Sequence, residues 1–259
     1  MENKKDYDET NRNFNATDQI NENKNLYKNS NIKNSEICLK EKKVLIIYTS
    51  GFLGMEKTES GDLVIEKGFL YNYMKNHPNF SDKNYLMNYY PEKLIEEFLI
   101  TPPTVQERRI LYKIKEIDEI KVSSNISLKI WKNIGNCIKD NYEDFDAFVI
   151  LHGTDTMNYT ASILSFMLEN LNKPVILTGA LIPLQNMRND AQKNIIDALH
   201  IAGNFYIPEV CVVFDSVLYR GNRIIKNDNM HLSAFQSPNL APLGYIGNTI
   251  KIEWDIINS

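Results

Sequence analysis

Four short apolar runs set the limits on what this chain can become. Val44-Leu45-Ile46-Ile47-Tyr48, Ala147-Phe148-Val149-Ile150-Leu151, Pro174-Val175-Ile176-Leu177 and Val210-Cys211-Val212-Val213-Phe214 contain no charged residue. A strand with one face in water alternates apolar and polar residues. An unbroken run requires cover on both faces, as in a parallel sheet between helices. Helical stretches lie between the runs. Ser127 can cap a helix carrying Ile130, Trp131, Ile134 and Ile138 on one face. A second runs from about Met157 to Leu171 with Ile163, Leu164, Phe166, Met167 and Leu171 on its apolar side. A third, from about Asp190 to Ala202, buries Ile195, Ile196 and Leu199, with His200 a further candidate. Strands alternating with helices of this length imply right-handed βαβ units. The expected fold is α/β, a doubly wound parallel sheet with helices on both faces. Ligands of such sheets bind beyond the carboxyl ends of the strands. The segments that follow the runs are therefore where chemistry is expected.

Residues 1–42 differ in kind, with Asn11, Asn13, Asn15, Asn21, Asn23 and Asn25 set among Lys, Glu and Asp and few apolar side chains. Such a segment cannot bury enough surface to offset an ordering cost of about 1–2 kcal/mol per residue. It reads as a disordered arm, or as a tail that folds on a partner, ahead of one α/β domain over 43–259. The formal net charge of −4 lacks the basic excess that neutralises phosphates, so nucleic acid is not expected as a partner. No apolar run approaches the roughly 20 residues that span a bilayer. The N-terminus lacks the apolar core of a signal peptide and carries Glu2, Asp6, Asp8 and Glu9, against a transit peptide. These features predict a cytoplasmic protein that does not engage membranes. Cys38, Cys137 and Cys211 form no CxxC or Cys/His cluster, and His77, His152, His200 and His231 have no ligand spacing. Free thiols and no metal are the expectation.

The most informative segment is His152-Gly153-Thr154-Asp155-Thr156-Met157, directly after a strand. Gly153 permits a sharp turn, Asp155 and Thr156 can cap the following helix, and a helix N-terminus suits an anion such as an α-carboxylate. Thr154 and Asp155 could be caps alone, or groups that meet a ligand.

Together with Tyr159-Thr160-Ala161-Ser162, this segment resembles the second active-site signature of the bacterial-type cytosolic (type I) L-asparaginases. Thr178-Gly179, Ile182-Pro183-Leu184, Arg188 and Asp190 resemble the next stretch of that pattern. Leu218-Tyr219-Arg220-Gly221-Asn222-Arg223 with Lys226, then Ala234-Phe235, Ser237-Pro238-Asn239 and Pro242-Leu243, resemble another, so the similarity spans 43–248 in order. The resemblance implies the flavodoxin-like N-terminal domain of that family, hydrolysis of the L-asparagine side-chain amide to L-aspartate and ammonia, no cofactor, and a homo-oligomer. It also implies a catalytic Thr154–Asp155–Lys226 triad. The chemistry is coherent, since a Thr hydroxyl needs a base to react and a desolvated Lys can serve as one. Taken by itself, Lys226 would be an exposed loop lysine. Substrate binding is implied for Ser123, Thr154 and Asp155, although Ser123 precedes a helix and could be an ordinary cap, and Val122 stands where many members carry an acid.

The first family signature, Thr-Gly-Gly-Thr-Ile-Gly-Met, reads Thr49-Ser50-Gly51-Phe52-Leu53-Gly54-Met55 here. The covalent nucleophile therefore falls on Phe52, which has no nucleophilic atom. Thr49 and Ser50 are nearby hydroxyls that read as turn residues. The assisting Tyr falls on Asp62. The chain stops at Ser259, so the family's smaller C-terminal domain is expected to be absent or only begun, which would weaken both oligomer and site. Two readings follow, an asparaginase of impaired activity and a non-catalytic asparagine/aspartate-binding or regulatory relative. A tRNA amidotransferase subunit of related fold is third. A serine hydrolase is disfavoured because no Gly-x-Ser-x-Gly follows a strand.

Overall fold

The computed structural model describes residues 41–57, 63–103, 108–121 and 126–258. The first strand, β1 (Glu41–Ser50), is buried from Val44 to Thr49 because each face meets a different set of helices. Val44, Ile46 and Tyr48 share a core with Leu70, Met74, Ile195 and Leu199, whereas Leu45 and Ile47 pack with Ile130, Ile134, Met157, Ala161 and Leu164. The helices concerned are α1 (Phe69–Asn76) and α6 (Ala191–Asn204) on one side, α4 (Leu128–Asp140) and α5 (Met157–Met167) on the other. The same alternation holds in β6 (Ala147–Leu151), β7 (Val175–Thr178) and β8 (Val210–Phe214), all wholly buried. Burying each Ile, Leu or Val on either face is worth roughly 1.5–3 kcal/mol, which is why these runs carry no polar side.

Beside β1 lies β5 (Arg109–Lys121), parallel to it, a strand the apolar runs do not announce. Its charged residues, among them Lys113 and Lys115, fit a strand whose outer neighbour is only the two-residue β4 (Leu99–Ile100). Between them the chain forms β2 (Met55–Lys57), β3 (Leu63–Ile65), α1, α2 (Lys83–Tyr89) and α3 (Glu92–Glu97). After β8 come β9 (Val217–Arg220), β10 (Ile225–Lys226), β11 (Phe235–Gln236), β12 (Gly244–Ile246) and β13 (Ile250–Ile252). The main sheet runs β13-β12-β9-β8-β7-β6-β1-β5-β4. The five strands β5, β1, β6, β7 and β8 are mutually parallel, and antiparallel strands finish both edges. The parallel order is that of a flavodoxin-like sheet, with its reversal of winding between β1 and β6.

Several local expectations change. Ser127 is the N-cap residue of α4 but makes no side-chain cap bond. Helix α5 stops at Met167, and its buried stripe is Met157, Thr160, Ala161 and Leu164. Phe166 and Met167 are exposed, because the stripe at i, i+3/i+4 and i+7 from Met157 points the other way. His200 is only partly buried. The strand begins at Glu41, two residues before the expected boundary, and residues 1–40 lie outside the described residues.

The last residues are tied to the sheet. Arg220 donates to Glu209 through Nε at 2.5 Å and Nη2 at 2.9 Å, and Nη2 also reaches the Ile256 carbonyl. The Asn258 N–H donates to Glu209 Oε1 at 2.6 Å. Among the described residues no helix is long and apolar enough to cross a membrane, and no group of His, Cys, Asp or Glu could hold a metal ion.

Candidate active site

Open sheets of this order bind ligands in the crevice at the carboxyl ends where the winding reverses, here β1 and β6, and two loops meet there. Gly51 follows β1 with φ +101°, and a Cβ on it would stand 2.7 Å from Gly153 Cα and 2.8 Å from Gly153 N. Only glycine allows this backbone to approach so closely and adopt that φ. The buried Thr49 donates its hydroxyl to the Leu151 carbonyl at 3.1 Å, linking the two strand ends. That hydrogen is committed to the sheet, which favours the turn role for Thr49. The side chains of Ser50 and Phe52, and all of Asp62 and Ser123, lie outside the described residues.

The second loop carries Thr154 and Asp155, and Lys226 arrives from 72 residues further along the chain. Lys226 Nζ stands 3.0 Å from Thr154 Oγ1 and 2.8 Å from Asp155 Oδ1. The Lys226 side chain is 13% exposed and that of Asp155 51% exposed, so the pair straddles the surface. Thr154 is buried. The N-cap residue of α5 is Thr156, which makes no side-chain cap bond. The loop is thus more than a helix start, since two of its side chains converge on a cation.

Lys226 is steered by a short ribbon. It pairs with Phe235 across β10 and β11, and Phe235 is buried edge-on against Phe214 with ring centroids 4.9 Å apart. Tyr219 donates its hydroxyl to the Phe235 carbonyl at 3.1 Å. Aromatic anchoring of the partner strand removes freedom from the lysine backbone.

The turn before Thr154 is held by a relay of buried His152 and Thr160 with the half-buried Trp131. Trp131 Nε1 donates to Thr160 Oγ1 at 2.9 Å, Thr160 Oγ1 meets His152 Nε2 at 2.9 Å, and His152 Nδ1 meets the Gly153 carbonyl at 2.7 Å. Burial pushes the His152 imidazole down to about 4, against the opposing pull of the Gly153 carbonyl. It is neutral at physiological pH. A carbonyl only accepts, so Nδ1 carries the proton and Thr160 donates to Nε2. On the next loops, Asp190 accepts the Leu181 and Ile182 N–H groups at 3.0 and 2.8 Å. Asn194 donates to the Gly179 carbonyl at 3.0 Å and accepts the Asp215 N–H at 3.2 Å. Sequence reasoning did not assign these supporting roles. Their signal is a polar residue on a buried helical stripe, Thr160 beside Met157 and Asn194 beside Ala191 and Ile195.

Residues 43–258 match the family model described as Asparaginase, N-terminal. The chain is 41% identical over 217 residues to an L-asparaginase of Dirofilaria immitis, covering 84% of this chain and 37% of that protein. It is 41% identical over 213 residues to L-asparaginase 1 of Escherichia coli K12, covering 82% of this chain and 56% of that protein. The crystal structure of L-asparaginase I from Vibrio cholerae superimposes with a TM-score of 0.69 at 39% identity, covering 84% of this chain and 57% of the other. The chain therefore spans between about a third and somewhat over half the length of these relatives. Family members of this kind are amidohydrolases. A β-α-β scaffold carrying Thr154, Asp155 and Lys226 at its switch point, matched from residue 43 to 258, belongs to the asparaginase family.

Proposed function

We propose that this chain binds L-asparagine and L-aspartate at the crevice between β1 and β6, and hydrolyses the L-asparagine side-chain amide weakly. The observation that carries the reading is Lys226 Nζ within 3.0 Å of Thr154 and 2.8 Å of Asp155. Asp155 balances the lysine and takes the substrate ammonium. The N-terminus of α5 receives the α-carboxylate, and Ser123 adds a hydroxyl. Lys226, once neutral, takes the proton as Thr154 or a water beside it adds to the amide carbon, and passes it to the nitrogen, which leaves as ammonia; where Thr154 is the nucleophile, water then hydrolyses its ester to release L-aspartate. Backbone N–H groups of the loop after Tyr48 meet the amide oxygen. Hydrolysis is weak because Phe52 supplies no hydroxyl where the family signature has its nucleophile. The reading carries with it a cytoplasmic homo-oligomer and an α/β domain from 43 onward behind an N-terminal arm.

Ammonia release from L-asparagine by the wild type, Phe52→Thr and Thr154→Ala, beside calorimetry with both ligands, tests it. Heat of binding in the wild type, with release rising in Phe52→Thr and lost in Thr154→Ala, is the expected pattern. No binding at millimolar ligand by folded protein removes the site. Phe52 specifically favours a second reading, a binding relative without turnover. Binding without ammonia release in any variant would establish that reading instead.

A further inference from the structure

The last core residue of β1 is a tyrosine whose hydroxyl does not face water. Tyr48 is 1% exposed, and its hydroxyl donates to the Gly51 carbonyl at 3.2 Å. The Gly54 backbone lies against the same oxygen and opposes the effect of burial on it. Burial is the main effect that pushes the phenol up, so it stays protonated and able to donate. One side-chain atom thus bonds one end of the turn Gly51–Gly54 and packs against the other, and the three-residue 3-10 segment between them is Phe52–Gly54. Gly54 lies so close that a Cβ on it would stand 2.7 Å from the Tyr48 oxygen and 2.8 Å from Cζ.

The neighbouring strand repeats the device. Glu116 of β5 is the register partner of Tyr48, and its carboxylate accepts the Gly68 N–H at 3.0 and 3.3 Å. Residues 51–54 lead into the β2–β3 pair and Gly68 follows it. Both chain ends of that pair are therefore pinned to the sheet by side chains from adjacent, paired positions. A core-filling tyrosine could have been Phe or Leu. A hydroxyl bonded to Gly51 and seated against Gly54 acts on the turn.

From this geometry we infer that Tyr48 is a positioning residue, whose hydroxyl fixes the backbone of residue 52 relative to Gly153 and so to the Thr154–Lys226 pair. The inference rests on the asparagine site proposed above for its effect on turnover, but not for the clamp itself. Amide hydrogen exchange of the full chain separates the two. In Tyr48→Phe the amides of Leu53–Met55 exchange at least tenfold faster, while Val44–Ile47 and Val149–Leu151 keep their protection. In the Phe52→Thr background the same change lowers kcat at least fivefold with KM for L-asparagine within twofold, because the groups that hold the substrate ammonium and α-carboxylate are untouched. A purely structural role would instead speed exchange across β1 and β6 together and leave the kcat-to-KM split unmoved. That result, or wild-type exchange at Gly54, overturns the inference. Should Tyr48→Phe fail to fold, Gly54→Ala displaces the phenol from the other side. It gives the same local exchange signature if the clamp exists and wild-type exchange in the turn if it does not. If Phe52→Thr releases no ammonia, the proposed hydrolysis fails while the exchange result still decides the clamp.

Discussion

The two walls of the crevice have fared differently. On the β6 side, Thr154, Asp155 and Lys226 meet at hydrogen-bonding distance above a His152–Thr160–Trp131 relay. On the β1 side, the backbone is equally constrained, with Gly51 against Gly153 and Tyr48 bonded to the turn, yet residue 52 carries no hydroxyl. A loop can keep its architecture while losing the atom that architecture would present. The difference shows that backbone geometry and reactive chemistry are separable, because glycines and buried hydrogen bonds set the first and one side chain sets the second.

The comparison breaks most decisively at the reactive position. Phe52→Thr should raise ammonia release from L-asparagine by two or more orders of magnitude, and adding Lys226→Met should take back about 10²- to 10⁴-fold, the usual contribution of a general base. Equal rates in Phe52→Thr and the double variant, in a steady-state ammonia assay, would mean that the β6 wall is not the catalytic partner. Next comes the backbone contact. Gly51→Ala should cost about 3 kcal/mol or more, from the strained positive φ and a Cβ driven into Gly153. Urea unfolding reads it, and a loss below about 1 kcal/mol would show that the loops separate readily.

Smaller effects lie away from the crevice and sharpen the contrast as controls. At the opposite end of β1, Glu41 accepts the Tyr85 hydroxyl at 2.8 Å. Burial pushes its carboxyl up to about 7 from 4.5, partly offset by Tyr85 and by the nearby Arg109. The folded state therefore holds this proton more tightly than the unfolded one. The associated stability is fully present below pH 4.5 and is lost as pH rises through about 7. Glu41→Gln should abolish that loss, gaining about 1–2 kcal/mol at pH 8 relative to pH 4 after allowance for partial exposure. A flat stability difference between variant and wild type from pH 4 to 8 would refute it. The smallest change concerns the β8–β9 hairpin, whose two central residues Asp215 and Ser216 have φ of 47° and 64°. Asp215→Asn suits this two-residue turn better. It also removes one charge that, behind burial as the main cause, raises the Asp197 carboxyl. A gain of about 0.5 kcal/mol in thermal unfolding is expected, without change in ammonia release.

Much of this protein was already legible in its residues. The four uncharged runs read as strands covered on both faces, and they are the parallel strands β1, β6, β7 and β8. The Thr154–Asp155 signature and the Phe52 departure were likewise visible as residue identities. Other features had no local signature. Strand β5 is interrupted by charges because its outer side has little cover, and α1 to α3 on the way to it went unread. Phe166 and Met167 lie off the buried face of α5, since periodicity permits several stripes and only the neighbouring sheet selects one. Lys226 as a loop lysine would have been unremarked without the family resemblance. Bringing its ammonium to Thr154 takes the β10–β11 ribbon anchored by Phe235. The roles of Tyr48, Thr160 and Asn194 were decided wholly in three dimensions. A polar atom in the interior must find a partner, and which one it finds depends on strands and helices that the chain brings together only on folding.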